Sequence, residues 1–448
     1  MQTYNRRSIL QLGATYGGLG LLTALCRRSY AASSAPNPKT LIVRPDLVDP
    51  DAPDGTEVIQ LTTGDVPSCH VYMEAQIFTP DSKRFVLHRS AHAHGSDKDD
   101  PAHQYLLCDI EDGCSLSPLT EGRGATAPSL SPDGQYLYYF VNETEVNGGR
   151  LFLKRVRLDG TDRQTILVLD AGIAGTGLRP SRIYPLSTIS SDGNRMALSA
   201  FFGDGQTEDA PFGLMVFDLS KASVDLILRG QTWCNLHPQY SRSKDVEASH
   251  DILIQENHGN KCTPDGEITT LVSGLGADIH VIRDDGSNFR TMPWGRDGNE
   301  HCQGHQCWRG QSEWAITSTG TNEPRSARMI EGKALPDQGH MGLKTPGAVR
   351  NDLSREIPEP TFYHFATDMA GTRLISDTGP TDREGRLVVA DMGTPGESAM
   401  KNLRRVAQPK CSWAKGAHIH PFLSPDGTKG FFNSDESGLL QAYMVQGF

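Results

Sequence analysis

The stretch Leu423-Ser424-Pro425-Asp426-Gly427 predicts a tight turn between two strands. Its proline fixes φ, its aspartate hydrogen-bonds its own backbone, and its glycine accepts a positive φ. Related stretches recur along the chain, each followed by a β-rich run: Phe78-Thr79-Pro80-Asp81, Leu130-Ser131-Pro132-Asp133-Gly134, Ile189-Ser190-Ser191-Asp192-Gly193 and the degenerate Ala366-Thr367-Asp368-Met369-Ala370-Gly371. The sequence therefore predicts repeated strand–turn–strand units.

The number and spacing of these units predict the fold. Two further units, which lack the proline-aspartate turn, begin near His237 and His305. This makes seven units spaced by roughly 50 to 65 residues, with no long helical period between them. We therefore predict an all-β fold, a seven-bladed β-propeller. A row of separate sandwich domains is the alternative, and the even spacing disfavours it.

The last unit leaves room for only three strands after Pro421. Its missing strand is predicted to come from residues 57–62, near the other end of the chain. Such a strand would complete the last blade and close the propeller, leaving no free edge between the first and last blades.

The N-terminus is predicted to be a targeting segment. Asn5-Arg6-Arg7-Ser8-Ile9-Leu10 resembles a twin-arginine motif, a weakly apolar run covers residues 12–25, and Ser29-Tyr30-Ala31 offers a cleavage site. The run is short for a membrane span, so we do not expect an integral membrane protein. The predicted domains are a signal peptide at 1–31, a linker at 32–55 and the propeller at 56–448, in an exported, periplasmic or secreted protein.

The net charge argues against nucleic acid as a partner. The chain carries −11, and removal of the leader with its four arginines and no acid would change −11 to −15. A protein this acidic does not favour a polyanion. An acidic substrate would need a local cation. The sequence leaves the oligomeric state open.

Eight cysteines remain after the predicted leader. An even number in an exported protein permits disulfides, although the sequence does not give their pairing. Cys108 and Cys114 flank the turn Glu111-Asp112-Gly113, which would allow a bridge across a hairpin.

Two histidines, His418 and His420, precede the last turn. Residues i and i+2 of a strand point to the same face, so these imidazoles are predicted to lie together. The pair suits a metal ion; two hydrogen-bonded surface histidines are the alternative. Further histidines, His237, His305 and His364, lie on the predicted first strands of other units, which line the channel of a propeller. The five together form a candidate site.

Four motifs carry a resemblance to a known family: Trp233-Cys234-Asn235-Leu236-His237-Pro238-Gln239-Tyr240, Gly304-His305-Gln306-Cys307-Trp308, Ser412-Trp413 leading to His418-Ile419-His420-Pro421, and Phe431-Phe432-Asn433-Ser434-Asp435-Glu436-Ser437-Gly438. From about Thr56 onward, the chain resembles the oligogalacturonate lyases, seven-bladed propellers that act on pectin fragments. The resemblance implies a divalent metal, Mn²⁺, with His305, His418 and His420 as ligands. It also implies that His237 is the catalytic base.

The implied reaction is a metal-assisted β-elimination on an acidic, uronate-containing oligosaccharide. Removing the C5 proton is difficult because the adjacent carboxylate disfavours a carbanion. A metal neutralises that carboxylate, and a neutral histidine takes the proton near pH 7. The O4 link leaves and a 4,5-unsaturated sugar forms. The predicted function is therefore an oligogalacturonate-like lyase.

Two positions depart from the family pattern. Lys415 stands where the family has a glutamine ligand. The fourth ligand or a substrate contact is therefore predicted among Gln303, His301, His364 and Lys415 itself. Gly213 stands where the family has an arginine that contacts the substrate, which predicts a wider and less positive pocket. Arg182 and Arg229 are the two candidates to compensate for the missing arginine, and Arg182 is a further candidate for a substrate contact.

These departures keep two alternatives open. One is a lyase for a different polyuronate, such as an algal one. The other is a non-catalytic periplasmic propeller that binds glycans or proteins.

Overall fold

The computed structural model describes residues 41–92, 95–96, 100–121, 124–145, 148–271, 277–294, 300–321, 327–336, 349–379, 385–414 and 417–448. All of them belong to one compact unit, Lys39–Phe448, and the predicted signal peptide lies outside them. Helical structure in these ranges consists of three short 3₁₀ helices, Pro45–Leu47, Gln231–Trp233 and Ala248–His250, so the all-β prediction is confirmed. No helix in the described part is long and apolar enough to cross a membrane.

Three sheets of four antiparallel strands follow one another in the first half of the chain, and in each the strands pair in chain order. Sheet 1 contains Ser68–His70, Arg84–Arg89, Gln104–Asp109 and Ser115–Pro118. Sheet 2 contains Ala125–Leu130, Tyr136–Glu145, Gly148–Arg157 and Gln164–Leu169. Sheet 3 contains Arg182–Ile189, Arg195–Phe201, Phe212–Asp218 and Ser223–Gly230.

The second half forms a sheet of nine strands and two further sheets. Sheet 4 runs through Gln239–Tyr240, Asp251–Asn257, Ala277–Arg283, Glu300–Trp308, Trp314–Thr321, Ala327–Lys333 and Arg350–Asp352, with Arg290–Thr291 and Leu335–Pro336 beside this path. Its two halves meet where Ala277 pairs with Cys302. Sheet 5 contains Phe365–Thr367, Arg373–Asp377, Leu387–Asp391 and Lys401–Ala407.

Sheet 6 joins the two ends of the described chain. Its spatial order is Ile42–Val43, Glu57–Gln60, Gln441–Gln446, Lys429–Ser434 and Phe422–Leu423. Two small hairpins complete the structure, Ala91–His92 with Gly95–Ser96 and Lys261–Cys262 with Ile268–Thr270.

The predicted turns are confirmed. In the turn at Ser424, the serine hydroxyl donates to the Asp426 carboxylate at 2.5 Å, and the Gly427 N–H donates to the Ser424 carbonyl at 2.8 Å. Gly427 has a φ of 69°, which glycine adopts without steric cost. The turns that begin at Ser131 and Ser190 repeat the hydroxyl–carboxylate bond at 2.5 Å. Local side-chain chemistry therefore reverses the chain at these points.

The strand Glu57–Gln60 pairs with the strand Gln441–Gln446, as its predicted role requires. Ile42–Val43 adds to its outer side, and the 3₁₀ helix that follows buries Leu47 completely. The segment predicted as a linker, 32–55, thus includes a strand and a buried side chain of the folded unit. The strand in this segment is only two residues long, which is too short to be predicted from sequence periodicity.

Hydrogen bonds connect each sheet with the next, close to its first strand. The donor and acceptor residues are Leu130 and Gln76 (2.7 Å), Ser187 and Ala127 (2.8 Å), Tyr240 and Thr188 (2.8 Å), Gln239 and Gln306 (2.8 Å), Thr367 and Trp308 (3.2 Å), Met369 and Pro425 (3.0 Å), and Asp426 and Ser82 (3.1 Å). The series begins and ends at sheet 1, and the Gln239–Gln306 bond connects the two halves of sheet 4.

An aromatic cluster packs sheet 6 against sheet 1. The Phe85 and Phe431 ring centroids lie 4.9 Å apart, and Phe78 and Phe422 complete the cluster. Phe85 and Phe431 are fully buried. Aromatic pairs at this separation contribute beyond their buried area, so the junction of the chain ends is apolar as well as hydrogen-bonded.

The eight cysteines of the described part are all unbonded thiols in this structure. Cys108 and Cys114, the pair that flanks the predicted turn, lie within hydrogen-bonding distance of each other. That hydrogen bond, together with burial, raises the pKa of the Cys108 thiol.

We predict that the N-terminal segment contributes to the stability of the folded unit. Replacing Leu47, which is 0% exposed, by alanine should lower the free energy of unfolding by about 2–5 kcal/mol, because a cavity is left in the core. Leu41→Ala is the matched control: Leu41 is 40% exposed, and its loss should change the value by less than about 0.5 kcal/mol. Urea unfolding measures both, and equal stabilities would show that the segment is not part of the cooperative unit.

Candidate active site and metal centre

Three of the histidines predicted to line the channel lie just before strands. His237 lies shortly before Gln239–Tyr240, His364 directly before Phe365–Thr367, and His420 shortly before Phe422–Leu423. Each of these strands is the first of its predicted unit and lies at one edge of its sheet. The hydrogen bonds between neighbouring sheets hold these starting points close together.

His364, His418 and His420 form a compact group of imidazoles. The ring centroids of His364 and His420 are 4.3 Å apart, and Nδ1 of His418 is 3.3 Å from Nε2 of His420. One ligand atom from each of the three lies within 4.8 Å of the other two. Burial lowers the pKa of His418 and so favours its neutral form. Neutral imidazoles at this spacing fit a divalent transition metal.

The predicted strand at His418 and His420 is wrong, although the two side chains do meet. Residues 417–421 are not in a strand, and His420 has a φ of 43°, in the left-handed region. His237 has a φ of 48°, and it too precedes a proline. Non-glycine residues rarely adopt this conformation, and it concentrates at functional sites. A left-handed residue, and not strand alternation, therefore directs these imidazoles.

Asp377 fixes the orientation of His364. Its Oδ2 accepts a 2.8 Å bond from Nδ1 of His364, and its Oδ1 accepts from the backbone N–H groups of His364 and Gly379. Both His364 and Asp377 are buried, and burial raises the pKa of Asp377 to about 8. A carboxylate that accepts a hydrogen bond from a histidine is the usual partner behind a metal ligand, because it leaves the other ring nitrogen available.

His305, predicted as a ligand, lies beside this group. Its ring centroid is 4.5 Å from that of His364 and 4.8 Å from that of Tyr363. The three residues predicted as ligands are thus neighbours of His364. His364 itself was predicted only as a fourth ligand or a substrate contact. Their roles as ligands stay predictions.

The other candidates for the fourth ligand lie near a bulge or outside the described part. The register of the strand Glu300–Trp308 shifts at the bulge that carries Gln303 and His305. The Oε1 atom of Gln303 is buried and makes no hydrogen bond among the described residues, which suits a ligand or substrate contact. Lys415 and the side chain of His301 lie outside the described residues.

His237 sits between a carboxylate and a phenol. Its Nδ1 is 2.8 Å from Oε2 of Glu74, and its Nε2 is 3.1 Å from the hydroxyl oxygen of Tyr184. His237 and Glu74 are both buried. Burial raises the pKa of Glu74, and the proximity of His237 opposes that change. The second oxygen of Glu74, Oε1, is buried and makes no hydrogen bond among the described residues.

Tyr72 connects the two parts of the site. Its ring centroid is 4.6 Å from that of His420 and 5.6 Å from that of His237. Burial, and then the negative charge of Glu74, raise the pKa of its hydroxyl far above the ordinary value for tyrosine. His237 and the histidine group therefore belong to one site.

Four residues of this site were missed by the search for histidines: Tyr72, Glu74, Tyr184 and Asp377. Tyr72 and Glu74 follow the first strand of sheet 1, and Tyr184 lies on the first strand of sheet 3. They occupy the places that histidines occupy in later units. A comparison of first strands by position, not by residue type, would have identified these three.

Arg182 is exposed at the start of its strand, two residues before Tyr184. Its guanidinium donates to the Gly266 carbonyl at 3.4 Å. Its role as a substrate contact stays a prediction.

Gly213 is closely packed within sheet 3. It lies in the third strand of sheet 3, paired with both neighbouring strands. A Cβ added there would lie 2.5 Å from the Leu228 carbonyl oxygen and 2.8 Å from Cδ1 of Leu226. Glycine at this position therefore allows two strands to pack closely, and its effect on a substrate pocket stays a prediction.

The chain was compared with known proteins. No protein-family model matches it. An oligogalacturonide lyase from Pectobacterium atrosepticum is 23% identical over 427 residues, which are 88% of this chain and 94% of the relative. An oligogalacturonate lyase from Dickeya dadantii is 22% identical, with the same coverage of both chains.

Solved structures agree with this comparison at the level of the fold. An oligogalacturonate lyase in complex with manganese has a TM-score of 0.66 and 20% identity, covering 91% of this chain and 96% of the other. An oligogalacturonate lyase from Vibrio parahaemolyticus has a TM-score of 0.64 and 18% identity, covering 91% and 97%. Along most of its length, the chain is thus similar to oligogalacturonate lyases, at 22–23% sequence identity and with a shared fold.

Proposed function

We propose that the protein is a lyase that cleaves short uronate-containing oligosaccharides by β-elimination, with a 4,5-unsaturated sugar as product. The observation that carries this proposal is the contact of Tyr72 with both His237 and His420, which places a paired base beside a group of metal-type ligands. Proton removal next to a carboxylate needs both a base and a local positive charge. The relatives named as oligogalacturonate lyases support the uronate as substrate class.

The proposed cation site consists of His305, His364, His418 and His420. Manganese accompanies one structurally similar lyase, and the imidazole donor set here fits such an ion. When bound, a divalent ion supplies positive charge that neutralises the uronate carboxylate and the charge formed as C5 loses its proton. Asp377 holds the ring of His364 in place. The cation also allows a chain of net charge −11 to bind an acidic sugar.

His237 is the proposed base. A carboxylate only accepts hydrogen bonds, so ionised Glu74 places the proton of the neutral imidazole on Nδ1 and leaves the Nε2 lone pair to take the C5 proton. The imidazolium that forms is stabilised by the same carboxylate, as in other histidine–carboxylate pairs. Glu74 thus orients the base and balances its charge.

Tyr184 is the proposed acid. As the C4–O4 bond breaks, its electron pair leaves with O4, and the oxygen needs a proton. The Tyr184 hydroxyl is hydrogen-bonded to Nε2 of His237. It gives its proton to O4, which frees the Nε2 lone pair for the C5 proton, and then recovers that proton from Nε2, which returns both residues to their starting state.

We also propose that the sheets form a closed ring of seven blades, with the two halves of sheet 4 as separate blades. The hydrogen bonds between neighbouring first strands, which run from sheet 1 through sheet 6 and back to sheet 1, support this arrangement. The pairing of Glu57–Gln60 with Gln441–Gln446 supports closure between the chain ends.

We further propose that the protein is exported to the periplasm or the medium. The twin-arginine-like motif near the N-terminus supports this part of the proposal.

Replacing His237 by alanine should lower turnover by about 10²- to 10⁴-fold, the usual contribution of a positioned base. The assay is the ultraviolet absorbance of unsaturated uronate products, measured over a panel of polyuronates with and without added Mn²⁺. Glu74→Gln should also lower turnover, because it removes the charge that stabilises the imidazolium. The shape of the side chain is kept, so the effect reports the charge.

His250→Ala is the control for this prediction. His250 ends the 3₁₀ helix Ala248–His250, and its Nδ1 is paired with Oδ2 of Asp284 at 2.9 Å. It should keep full turnover. Full turnover in His237→Ala would assign the base to another residue, and no product from any polyuronate would contradict the lyase proposal.

Removing the proposed ligands should remove the manganese. Electron paramagnetic resonance should detect bound Mn²⁺ in the parent protein and none in the double variant His418→Ala, His420→Ala. Asp377→Asn should weaken Mn²⁺ binding by about 10- to 100-fold, because it loosens the hold on His364 without removing a ligand. Unchanged Mn²⁺ affinity in the double variant would show that the ion binds elsewhere.

A further inference from the structure

A second cluster of histidines and carboxylates lies in sheet 4. Glu256 and Asp278 are direct partners across two antiparallel strands. His280 lies two residues after Asp278 and so shares its face of the sheet. His258 follows Glu256 just beyond the end of its strand. None of these four residues takes part in the proposed elimination.

The polar atoms of the cluster lie close together, with both imidazoles beside Glu256. Nε2 of His280 lies 3.2 Å and Nε2 of His258 lies 3.7 Å from the same oxygen, Oε2 of Glu256. Nε2 of His258 is also 2.8 Å from Oδ2 of Asp278. One ligand atom each from Glu256, Asp278 and His280 lies within 4.8 Å of the other two.

The surroundings orient these side chains and shield them from water. Nδ1 of His280 is 3.2 Å from the Thr291 hydroxyl, and the Thr232 hydroxyl donates to Oε1 of Glu256 at 2.7 Å. The Phe289 ring lies 4.7 Å from the His280 ring, centroid to centroid. His280 is 1% and Asp278 3% exposed. Partners on the far side of ligand residues are the usual support of a metal site.

Asp278 is buried and the Glu256 side chain is 15% exposed, so two carboxylates lie together where little water reaches them. One divalent ion would neutralise both of them. Ligands held at about 2.0–2.2 Å by a tetrahedral ion lie about 3.3–3.6 Å apart. The observed nitrogen–oxygen distances of 3.2 and 3.7 Å at Glu256 are close to this separation.

We propose that Glu256, His258, Asp278 and His280 form a structural site for a divalent transition ion of the Zn²⁺ type. Two imidazoles and two carboxylates complete a tetrahedral set and leave no position open for substrate, which is the pattern of structural zinc. The site ties two strands of sheet 4 to the segment that leads to His237. Gln255, beside Glu256, donates its backbone N–H to the Leu236 carbonyl at 2.8 Å. This ion is independent of the proposed lyase activity.

Metal analysis of the full chain, loaded with Zn²⁺ and then freed of excess ion, tests the proposal. In the His418→Ala, His420→Ala background, which removes the first site, about one zinc ion per chain should remain, the content of one closed site. Adding Glu256→Gln and Asp278→Asn should remove it. His250→Gln is the matched control, since it changes another histidine–aspartate pair beside sheet 4, that of a partly exposed histidine with Asp284, and zinc should stay bound.

A second measurement does not depend on the folding of the cluster variants. Co²⁺ loaded into the His418→Ala, His420→Ala protein, whose second cluster is intact, should give the strong visible absorption of a tetrahedral site. A chelator should then abolish this absorption and lower the melting temperature. No retained zinc and no cobalt absorption in this protein would overturn the proposal and leave a network of ion pairs only.

Discussion

The candidate site depends on the hydrogen bonds that hold each first strand against the next. Every residue proposed to act in the elimination lies on a first strand or beside its end, so the spacing of these strands sets the distances between the residues. The bond from the Tyr240 N–H to Thr188 keeps His237 beside Tyr184. The bond from Thr367 to Trp308 keeps His364 beside His305. A site built this way belongs to no single sheet.

The pairing of the chain ends likewise sets the distances in the part of the site that contains Tyr72, Glu74 and His420. Tyr72 and Glu74 come from the beginning of the folded unit, while His420 comes from its end. The backbone N–H of His70 donates to the Asn433 side chain at 2.9 Å, and the His70 ring packs against Phe422 and Phe431. These contacts bring Tyr72 against His420. The strand pairing of sheet 6 is therefore a condition of the chemistry as well as of stability.

Burial and charge divide the polar groups of the molecule into different tasks. The Arg309–Glu331 pair is fully buried, and Arg309 also donates to the Gly371 carbonyl of sheet 5 at 3.0 Å, so its polar atoms serve to join two sheets. At the site, in contrast, Oε1 of Glu74 and Oε1 of Gln303 are buried and make no hydrogen bond among the described residues. Burying a polar atom without a partner costs free energy. A bound molecule that supplies such partners would recover that cost.

The sequence by itself determined the elements and the residue types of the site. The turn at Ser424-Pro425-Asp426-Gly427 and its copies predicted the strand pairs, because proline, aspartate and glycine act on the backbone locally. The histidines of later units were found because their residue type suggests a metal. Only the tertiary structure revealed what Glu74, Tyr72 and Asp377 contact, since a carboxylate or phenol acquires its role from a partner that the sequence does not indicate, as Glu74 does from His237.

The tertiary structure also decided where side chains point. Strand alternation predicted that His418 and His420 share a face, but the left-handed conformation of His420 brings them together. Such a conformation is unfavourable locally and persists because the surrounding packing holds it. Gly213 is a second example. Its sequence position suggested a substrate pocket, whereas in the structure it packs closely against the carbonyl of Leu228 in the adjacent strand. Local rules predict the chain's elements, and contacts between distant residues select the geometry that makes a site.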